Sequence, residues 1–191
     1  MSGARGKLVV ISGPSGAGKT SVCRALKQHP DVEFSVSATT RAMRQGERDG
    51  VDYHFLSRED FQRRLGENQL LEWATYNGNL YGTPRWPMDT ALAQGKTFLV
   101  EIEVKGTRQL RERGIPGLYV FIAPPSIEEL RRRLERRGSN DAEEIEQRVR
   151  IAEQEIAAAQ EAVAGVPLYD VTLVNEDLQV TIQRVQELLW P

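Results

Sequence analysis

One stretch of the sequence has both the residue types and the spacing needed to hold a phosphate group. Residues 13–20 read GPSGAGKT and match the pattern G-x-x-x-x-G-K-[S/T] at every fixed position. In such loops the glycines let backbone N–H groups converge on one phosphate, the lysine reaches the β- and γ-phosphates, and the last hydroxyl ligates Mg²⁺. The predicted triphosphate-binding loop consists of Gly13, Pro14, Ser15, Gly16, Ala17, Gly18, Lys19 and Thr20.

The elements predicted around this loop place it between a strand and a helix. Lys7–Ser12 is a short apolar run typical of a buried strand, and a helical pattern starts at Lys19. The positive end of that helix dipole would point at the same phosphate. Further apolar strands are predicted at Thr97–Glu103, Leu118–Ala123 and Leu168–Val174, alternating with helices. This alternation predicts an α/β core with a parallel sheet covered by helices on both faces.

Residues 34–86 depart from this alternation. Strand-like pieces are predicted at Ser35–Ala38, Tyr53–Leu56 and Leu70–Tyr76, together with one helix at 58–65. Ser57 stands three residues before Asp60 and resembles a capping box at the start of that helix. We interpret the region as an inserted lobe of mixed structure.

Two helices are predicted after the third core strand. The first opens with a capping box made by Ser126 and Glu129. The second is predicted to run from Asp141 to about Ala164, because apolar residues recur there at alternating spacings of four and three. That apolar stripe consists of Ile145, Val149, Ala152, Ile156, Ala159 and Val163. A closing helix is predicted at Leu178–Leu189.

Composition limits the classes of ligand and partner. The chain has 191 residues, a formal net charge of -2 and one cysteine, Cys23, so an intrachain disulfide is excluded. No apolar run approaches the ~18 residues of a membrane span, and residues 1–7 do not resemble a signal peptide. The two histidines have no metal-ligand spacing. We expect a cytoplasmic protein with small anionic ligands and no nucleic acid, membrane or obligate protein partner.

The phosphate loop alone leaves several classes of nucleotide-binding protein open. A GTPase would need an N-K-x-D stretch that reads guanine, and the sequence has none. A motor ATPase would usually be longer. A kinase for a small acceptor remains.

Further stretches resemble the guanylate kinase family, in the order typical of that family and over essentially the whole chain. They are SVSATTR at 35–41, Arg44, GERDGVDYHF at 46–55, EWATYNGNLYGT at 72–83, EIEVKG at 101–106, FIAPPS at 121–126, RLERRG at 133–138 and VNED at 174–177. The resemblance implies a P-loop NTPase core (1–33, 87–125 and 159–191), a mixed α/β GMP-binding lobe (34–86) and a helical lid (126–158). It also implies Mg²⁺-dependent phosphate transfer from ATP to GMP, and dGMP as a further acceptor.

The resemblance assigns roles to individual residues. An ionised carboxylate at Glu72 would accept hydrogen bonds from the N1–H and N2–H₂ groups of guanine, a pattern that adenine cannot supply. Planar guanidinium groups at Arg41 and Arg44 would bind the acceptor phosphate. The implied GMP-binding set is Ser37, Arg41, Arg44, Tyr53, Glu72, Tyr81, Thr83 and Glu103. The implied catalytic set is Lys19, Arg133, Arg137 and Arg148.

Two roles remain, one at the base of ATP and one at the metal. Asn175 matches a contact to adenine, and Thr20 would ligate Mg²⁺ with Glu101 acting through water. The family usually has Asp-Ile-Asp where this chain has Glu101 and Glu103 around an isoleucine. Two alternatives are a kinase for another monophosphate, such as AMP or UMP, and a non-catalytic binding module that resembles guanylate kinase.

Overall fold

The computed structural model describes residues 6–136 and 142–190, and the elements below are those of the described residues. The strands, in chain order, are β1 (Lys7–Ser12), β2 (Val32–Phe34), β3 (Ala38–Thr39), β4 (His54–Phe55), β5 (Leu70–Tyr76), β6 (Asn79–Pro84), β7 (Thr97–Glu101), β8 (Leu118–Ala123), β9 (Ala162–Val163), β10 (Val166–Pro167) and β11 (Val171–Val174). The helices are α1 (Lys19–Leu26), α2 (Arg58–Gly66), α3 (Trp86–Ala93), α4 (Val104–Glu112), α5 (Ile127–Arg136), α6 (Ala142–Ala158) and α7 (Leu178–Leu189).

The core sheet is parallel and has the order β11-β8-β1-β7-β2. Successive residues of the central strand pack into different apolar clusters, Val10 with Phe98 and Val9 with Leu99. Since successive side chains of a strand point to opposite faces, the sheet is covered on both sides. Burying one such side chain contributes roughly 1.5–3 kcal/mol. The predicted α/β core is therefore confirmed.

A second, four-stranded sheet has the order β4-β3-β6-β5 and mixes parallel and antiparallel pairs. With α2 it encloses a small cluster that includes Phe61 and Leu80. The β5–β6 turn uses Asn77 and Gly78, both with positive φ, as two-residue hairpins require. The prediction missed β6, because a strand rich in asparagine, glycine and proline has the composition of a turn. The predicted strand at Ser35–Ala38 was also misplaced, since pairing starts only at Ala38.

The helices α5 and α6 form a cluster of their own. It contains Leu130, Leu134, Ile145, Val149 and Ala152. The Ser126 Oγ accepts a hydrogen bond from the Glu129 N–H at 3.1 Å, as its capping box predicts, and Ser57 does the same for Asp60 at 3.0 Å.

The prediction of one helix up to Ala164 was wrong. Helix α6 ends at Ala158, and the chain turns into the β9–β10 hairpin through Ala164 and Gly165, both of which have positive φ. The far end of the apolar stripe is nevertheless partly buried, because Ile156 and Val163 pack against the core instead of against α5. The predicted starting residue, Asp141, lies outside the described residues.

The end of the chain closes the core. Pairing in the last strand begins at Val171 instead of the predicted Leu168, although Leu168 is buried. Helix α7 has its predicted bounds, and the Asp177 carboxylate caps it by accepting from the Val180 N–H at 2.9 Å. Within the described ranges, no helix combines the length and apolarity needed to cross a membrane.

Candidate active site

The phosphate loop connects β1 to α1 at the carboxyl edge of the core sheet, where open α/β sheets bind ligands. Gly13 and Gly18 have φ values of 141° and 102°, which favour glycine. A Cβ at Gly13 would lie 2.1 Å from the Ile122 carbonyl oxygen, so the loop also packs too closely on β8 for a larger residue. The predicted strand, loop and helix are all present.

Lys19 is turned back over this loop. Its ammonium group donates to the carbonyl oxygens of Gly13 and Pro14, the latter at 3.0 Å. Burial lowers the pKa of Lys19, while the carboxylates of Glu101 and Glu155 act in the opposite direction. A partly desolvated cation next to the loop is arranged to attract an anion.

Thr20 and Glu101 meet at the end of β7. The Thr20 hydroxyl donates to Glu101 Oε1 at 2.8 Å. Hydroxyl and carboxylate oxygens are hard ligands of the type that Mg²⁺ accepts, directly or through water. The residues present therefore fit the predicted metal position.

Glu72 lies on β5 beside Thr83 of β6, and the Thr83 hydroxyl donates to Glu72 Oε1 at 2.7 Å. Burial raises the pKa of Glu72, as does the neighbouring Glu103, while the hydrogen bonds from Thr83 oppose the shift. A Cβ at Gly106 would lie 3.0 Å from Glu72 Oε2. Gly106 therefore leaves room for the carboxylate, a role that the sequence analysis missed although its EIEVKG motif contains the residue.

Side chains of α4 and of its C-cap residue hold the strand that carries Glu72. Gln109 accepts from the Trp73 N–H at 3.1 Å and donates to the Trp73 carbonyl at 2.8 Å. Arg113 donates to the carbonyl oxygens of Leu70 and Leu71 at 2.7 and 2.8 Å. The lobe strand is thus attached to the core by side-chain hydrogen bonds to its main chain on both sides of Glu72.

Arg41 lies in an aromatic and acidic setting. Its guanidinium carbon is 5.5 Å from the centroid of the Tyr53 ring, and the Tyr53 and Tyr81 rings are 6.0 Å apart. The guanidinium also forms an ion pair with Glu47 at 2.7 Å. The Arg44 N–H donates to the same carboxylate at 2.7 Å. The predicted phosphate-binding residues are brought together, and Glu47 joins them although the sequence analysis did not single it out.

A cleft of about 1090 Å³ lies between the phosphate loop and Tyr53 of the lobe. Predicted residues that line it are Gly13, Ser15, Gly16, Gly18, Lys19, Thr20, Ser37, Tyr53, Glu101, Glu103 and Arg148. Predicted residues that do not line it are Pro14, Ala17, Arg41, Arg44, Glu72, Tyr81, Thr83, Arg133 and Asn175. The cleft is thus bounded by the phosphate loop, the lobe, the end of β7 and α6.

The predicted lid arginines are arranged differently from one another. Arg148 faces the cleft from α6. Arg133 of α5 donates through Nε to Glu129 at 2.9 Å and through Nη2 to the Asn175 carbonyl at 3.0 Å. Arg137 lies outside the described residues.

Asn175 is buried beneath the phosphate loop. Its Nδ2 donates to the Ala17 carbonyl at 2.7 Å, and its Oδ1 accepts from the Thr181 hydroxyl at 3.1 Å. The side chain therefore ties the loop to α7. The predicted adenine contact stays a prediction.

Glu155 is a cleft residue that the sequence analysis passed over, because its helix has the composition of a solvated surface. Burial, with Glu103 adding to it, raises the pKa of Glu155 to about 7, while Lys19 and Lys105 oppose the shift. It faces the cleft from the same helix as Arg148.

Fold and site together define a nucleotide-binding protein of the P-loop kinase class, with a mixed lobe opposite the phosphate loop. The chain belongs to the guanylate kinase family: the family model "Guanylate kinase" matches residues 5–191. Members of this family are nucleoside monophosphate kinases that act as ATP:GMP phosphotransferases.

Named relatives support the same conclusion. A guanylate kinase from Thermosynechococcus vestitus is 48% identical over 97% of this chain and 94% of its own length. One from Synechocystis is 46% identical with the same coverage. Among solved structures, the guanylate kinase of Anaplasma phagocytophilum has a TM-score of 0.68 and 33% identity, covering 97% of this chain and 85% of its own. A sugar kinase from Janibacter, at 18% identity and a TM-score of 0.52, shares the fold alone.

Proposed function

We propose that the protein transfers the γ-phosphate of ATP to GMP and to dGMP, giving ADP and the guanosine diphosphates, in cytoplasmic purine nucleotide metabolism. The observation that carries the proposal is the buried Glu72 carboxylate, which is bonded by Thr83 and stands against Gly106. Such a carboxylate is acceptor-only and suits the two donor groups on one edge of guanine. Ser37 and Glu103 would complete the base contacts from the cleft side.

The acceptor phosphate would be bound by the cluster around Arg41. Guanidinium groups bind phosphate oxygens in pairs, and the Tyr53 and Tyr81 hydroxyl groups would add neutral donors. Arg44 supplies a second, exposed cation in the same loop. The attacking phosphate oxygen is already anionic near neutral pH, so the reaction needs no general base.

The donor phosphates would lie on the phosphate loop. A bound β,γ-phosphate would give Lys19 oxygen acceptors in place of the Gly13 and Pro14 carbonyls. Arg133, Arg137 and Arg148 would stabilise the charge that spreads over the equatorial oxygens in the transition state. For this, the Arg133 guanidinium would exchange the Asn175 carbonyl for phosphate oxygens.

Thr20 and Glu101 are the residues that would hold Mg²⁺, the latter through water. When bound with ATP, Mg²⁺ neutralises developing charge on the β- and γ-phosphates. We also propose the division into core (1–33, 87–125, 159–191), GMP lobe (34–86) and lid (126–158), whose closure would exclude water from the transfer.

The test is an ADP-release assay with ATP and Mg²⁺ and with GMP, dGMP, AMP, CMP and UMP as acceptors. Turnover with GMP, weaker turnover with dGMP and none with the others is the expected result. Turnover with AMP or UMP alone would contradict the role of Glu72. Tight GMP binding without turnover on any acceptor would favour a binding module instead.

A further inference from the structure

The carboxylate of Glu47 is inserted between the two arginines of the acceptor-phosphate cluster. Arg41 Nη2 donates to Glu47 Oε1 at 2.7 Å and Arg41 Nη1 donates to Glu47 Oε2 at 3.0 Å. This is a two-point pair, which fixes the plane of the guanidinium as well as its position. Both side chains are largely buried, with exposed fractions of 14% for Arg41 and 21% for Glu47.

The same carboxylate fixes the backbone of the second arginine. The Arg44 N–H donates to Glu47 Oε2 at 2.7 Å, and the Glu47 N–H donates back to the Arg44 carbonyl at 3.2 Å. Residues 41–47 therefore form a closed turn around one carboxylate. The hydrogen bonds from Arg41, followed by the one from Arg44, lower the pKa of Glu47, so it is ionised at neutral pH.

The donors of Arg41 can be assigned one by one. A guanidinium has five N–H groups. Two donate to Glu47, and a third donates from Nη1 to the Ala42 carbonyl at 2.7 Å. The Nε–H and one Nη2–H donate to neither of these residues and lie on a single edge of the guanidinium, which also has a side-chain hydrogen bond to Tyr81. That edge has the two-donor geometry that matches two oxygens of a phosphate.

The faces of the guanidinium are constrained as well as its edges. The rings of Tyr53 and Phe55 have centroids 5.5 and 5.7 Å from the guanidinium carbon. Tyr81 interacts with the same guanidinium. With one edge on Glu47 and aromatic rings nearby, Arg41 has little freedom to reorient.

We propose that Glu47 is a positioning residue for the acceptor phosphate: it holds the Nη1–Nη2 edge of Arg41 so that the Nε–Nη2 edge meets the phosphate of GMP. The inference rests on the proposed function and extends it to a residue that does not touch substrate. Glu47 orients the guanidinium of Arg41, although its negative charge lowers the net positive charge of the phosphate-binding cluster. If it competed with phosphate for Arg41 instead, removing it would tighten GMP binding.

The experiment compares Glu47→Gln with the parent enzyme. The amide has the size of the carboxylate but loses the charge and one acceptor. We expect KM for GMP to rise about 10- to 100-fold, as for the loss of charged hydrogen bonds, with kcat within about threefold and KM for ATP unchanged. The matched control is Glu67→Gln, which weakens the exposed Arg63–Glu67 pair (3.2 Å) in the same lobe and should change none of these constants.

A second readout separates positioning from general damage to the lobe. Guanosine carries the base but no phosphate, so its affinity, measured by calorimetric titration, should be the same for Glu47→Gln and the parent. Loss of guanosine and GMP affinity by the same factor would overturn the proposal, and so would an unchanged or lowered KM for GMP. Glu47→Asp keeps the charge on a shorter side chain and should fall between the parent and Glu47→Gln; a larger defect than that of Glu47→Gln would also overturn it.

Failure of the inference is distinguishable from failure of the proposed function. If the parent enzyme phosphorylates GMP and Glu47→Gln behaves like the parent, only the role of Glu47 is refuted. If the parent enzyme phosphorylates no guanine nucleotide, the proposed function is refuted and the role of Glu47 with it.

Discussion

Replacing Glu72 with glutamine should affect substrate binding and protein stability in opposite directions. The Thr83 hydroxyl now donates to Glu72 Oε1 at 2.7 Å, and the amide oxygen of glutamine can accept the same bond. The other carboxylate oxygen, beside Gly106, becomes an NH₂ group. The NH₂ group of the glutamine would then face the N–H groups of guanine, and neither side would offer an acceptor.

The size of the effect follows from the hydrogen bond to guanine that the substitution removes. A hydrogen bond to a charged group contributes about 1.5–3 kcal/mol, and an opposed donor adds a desolvation cost. A total of about 2–4 kcal/mol corresponds to a rise in KM for GMP of roughly 30- to 1000-fold. KM for ATP should be unchanged, because Glu72 lies in the lobe and not on the phosphate loop.

Stability should change in the other direction. Burial, then Glu103, raises the pKa of Glu72 above its ordinary 4.5. Because the folded-state pKa is raised, Glu72 ionises less readily in the folded than in the unfolded protein, so the free energy of unfolding falls as pH rises above 4.5. Glutamine does not ionise and removes this loss of stability. Urea unfolding should therefore find Glu72→Gln more stable than the parent at pH 8, with a difference that shrinks toward pH 4.5. Equal losses of ATP and GMP binding, or lower stability at pH 8, would refute this reasoning.

Three further changes test the phosphate loop and the cleft. Lys19→Ala should lower kcat in the ADP-release assay by at least about a hundredfold, and normal turnover would contradict its role. Gly18→Ala should lower the free energy of unfolding in urea by about 1–3 kcal/mol and raise KM for ATP, because its Cβ would lie 2.3 Å from Asn175 Nδ2. The control for backbone strain alone is Gly50→Ala, since Gly50 also has a positive φ but its Cβ would have nothing within 4 Å. In Glu155→Gln, the fall in stability of the parent between pH 5 and 7 should become shallower, because the folded-state pKa of about 7 exceeds the ordinary 4.5; parallel pH curves for the two proteins would rule this out.

The sequence was sufficient for features set by local chemistry. The phosphate loop and α7 were predicted because glycine conformations, capping residues and apolar periodicity act over a few neighbouring residues. The end of α6 was not, because the stripe through Val163 stays apolar while its partner changes from α5 to the core. Apolar periodicity predicts that a residue is buried, but it does not predict which element packs against it.

The candidate site also combines residues that the sequence predicts with residues that it does not. Motifs predicted roles for Glu72 and Arg41, but not for the groups that surround them. Glu47, Gly106 and Glu155 affect their neighbours through contacts that form only in the folded chain. Glutamate and glycine are common on surfaces and in turns, so their residue types did not mark them. Gly106 adjoins Glu72 only because β5 packs against α4, and Glu47 meets Arg41 only because residues 41–47 form one turn.

Helix α6 packs on α5 in its first half and on the core near its C-terminal end, and it lines the cleft between these contacts. Its C-terminal turn, at Ile156, is packed into the core, while Val149 belongs to the separate cluster with α5. Arg148 lies eight residues from Ile156, or about 12 Å along the axis. A rotation of α6 by about 10° around Ile156 would therefore carry Arg148 about 2 Å, the difference between a water-mediated and a direct contact with a phosphate. Ile156 would then influence the position of Arg148 in the cleft although it does not line the cleft itself.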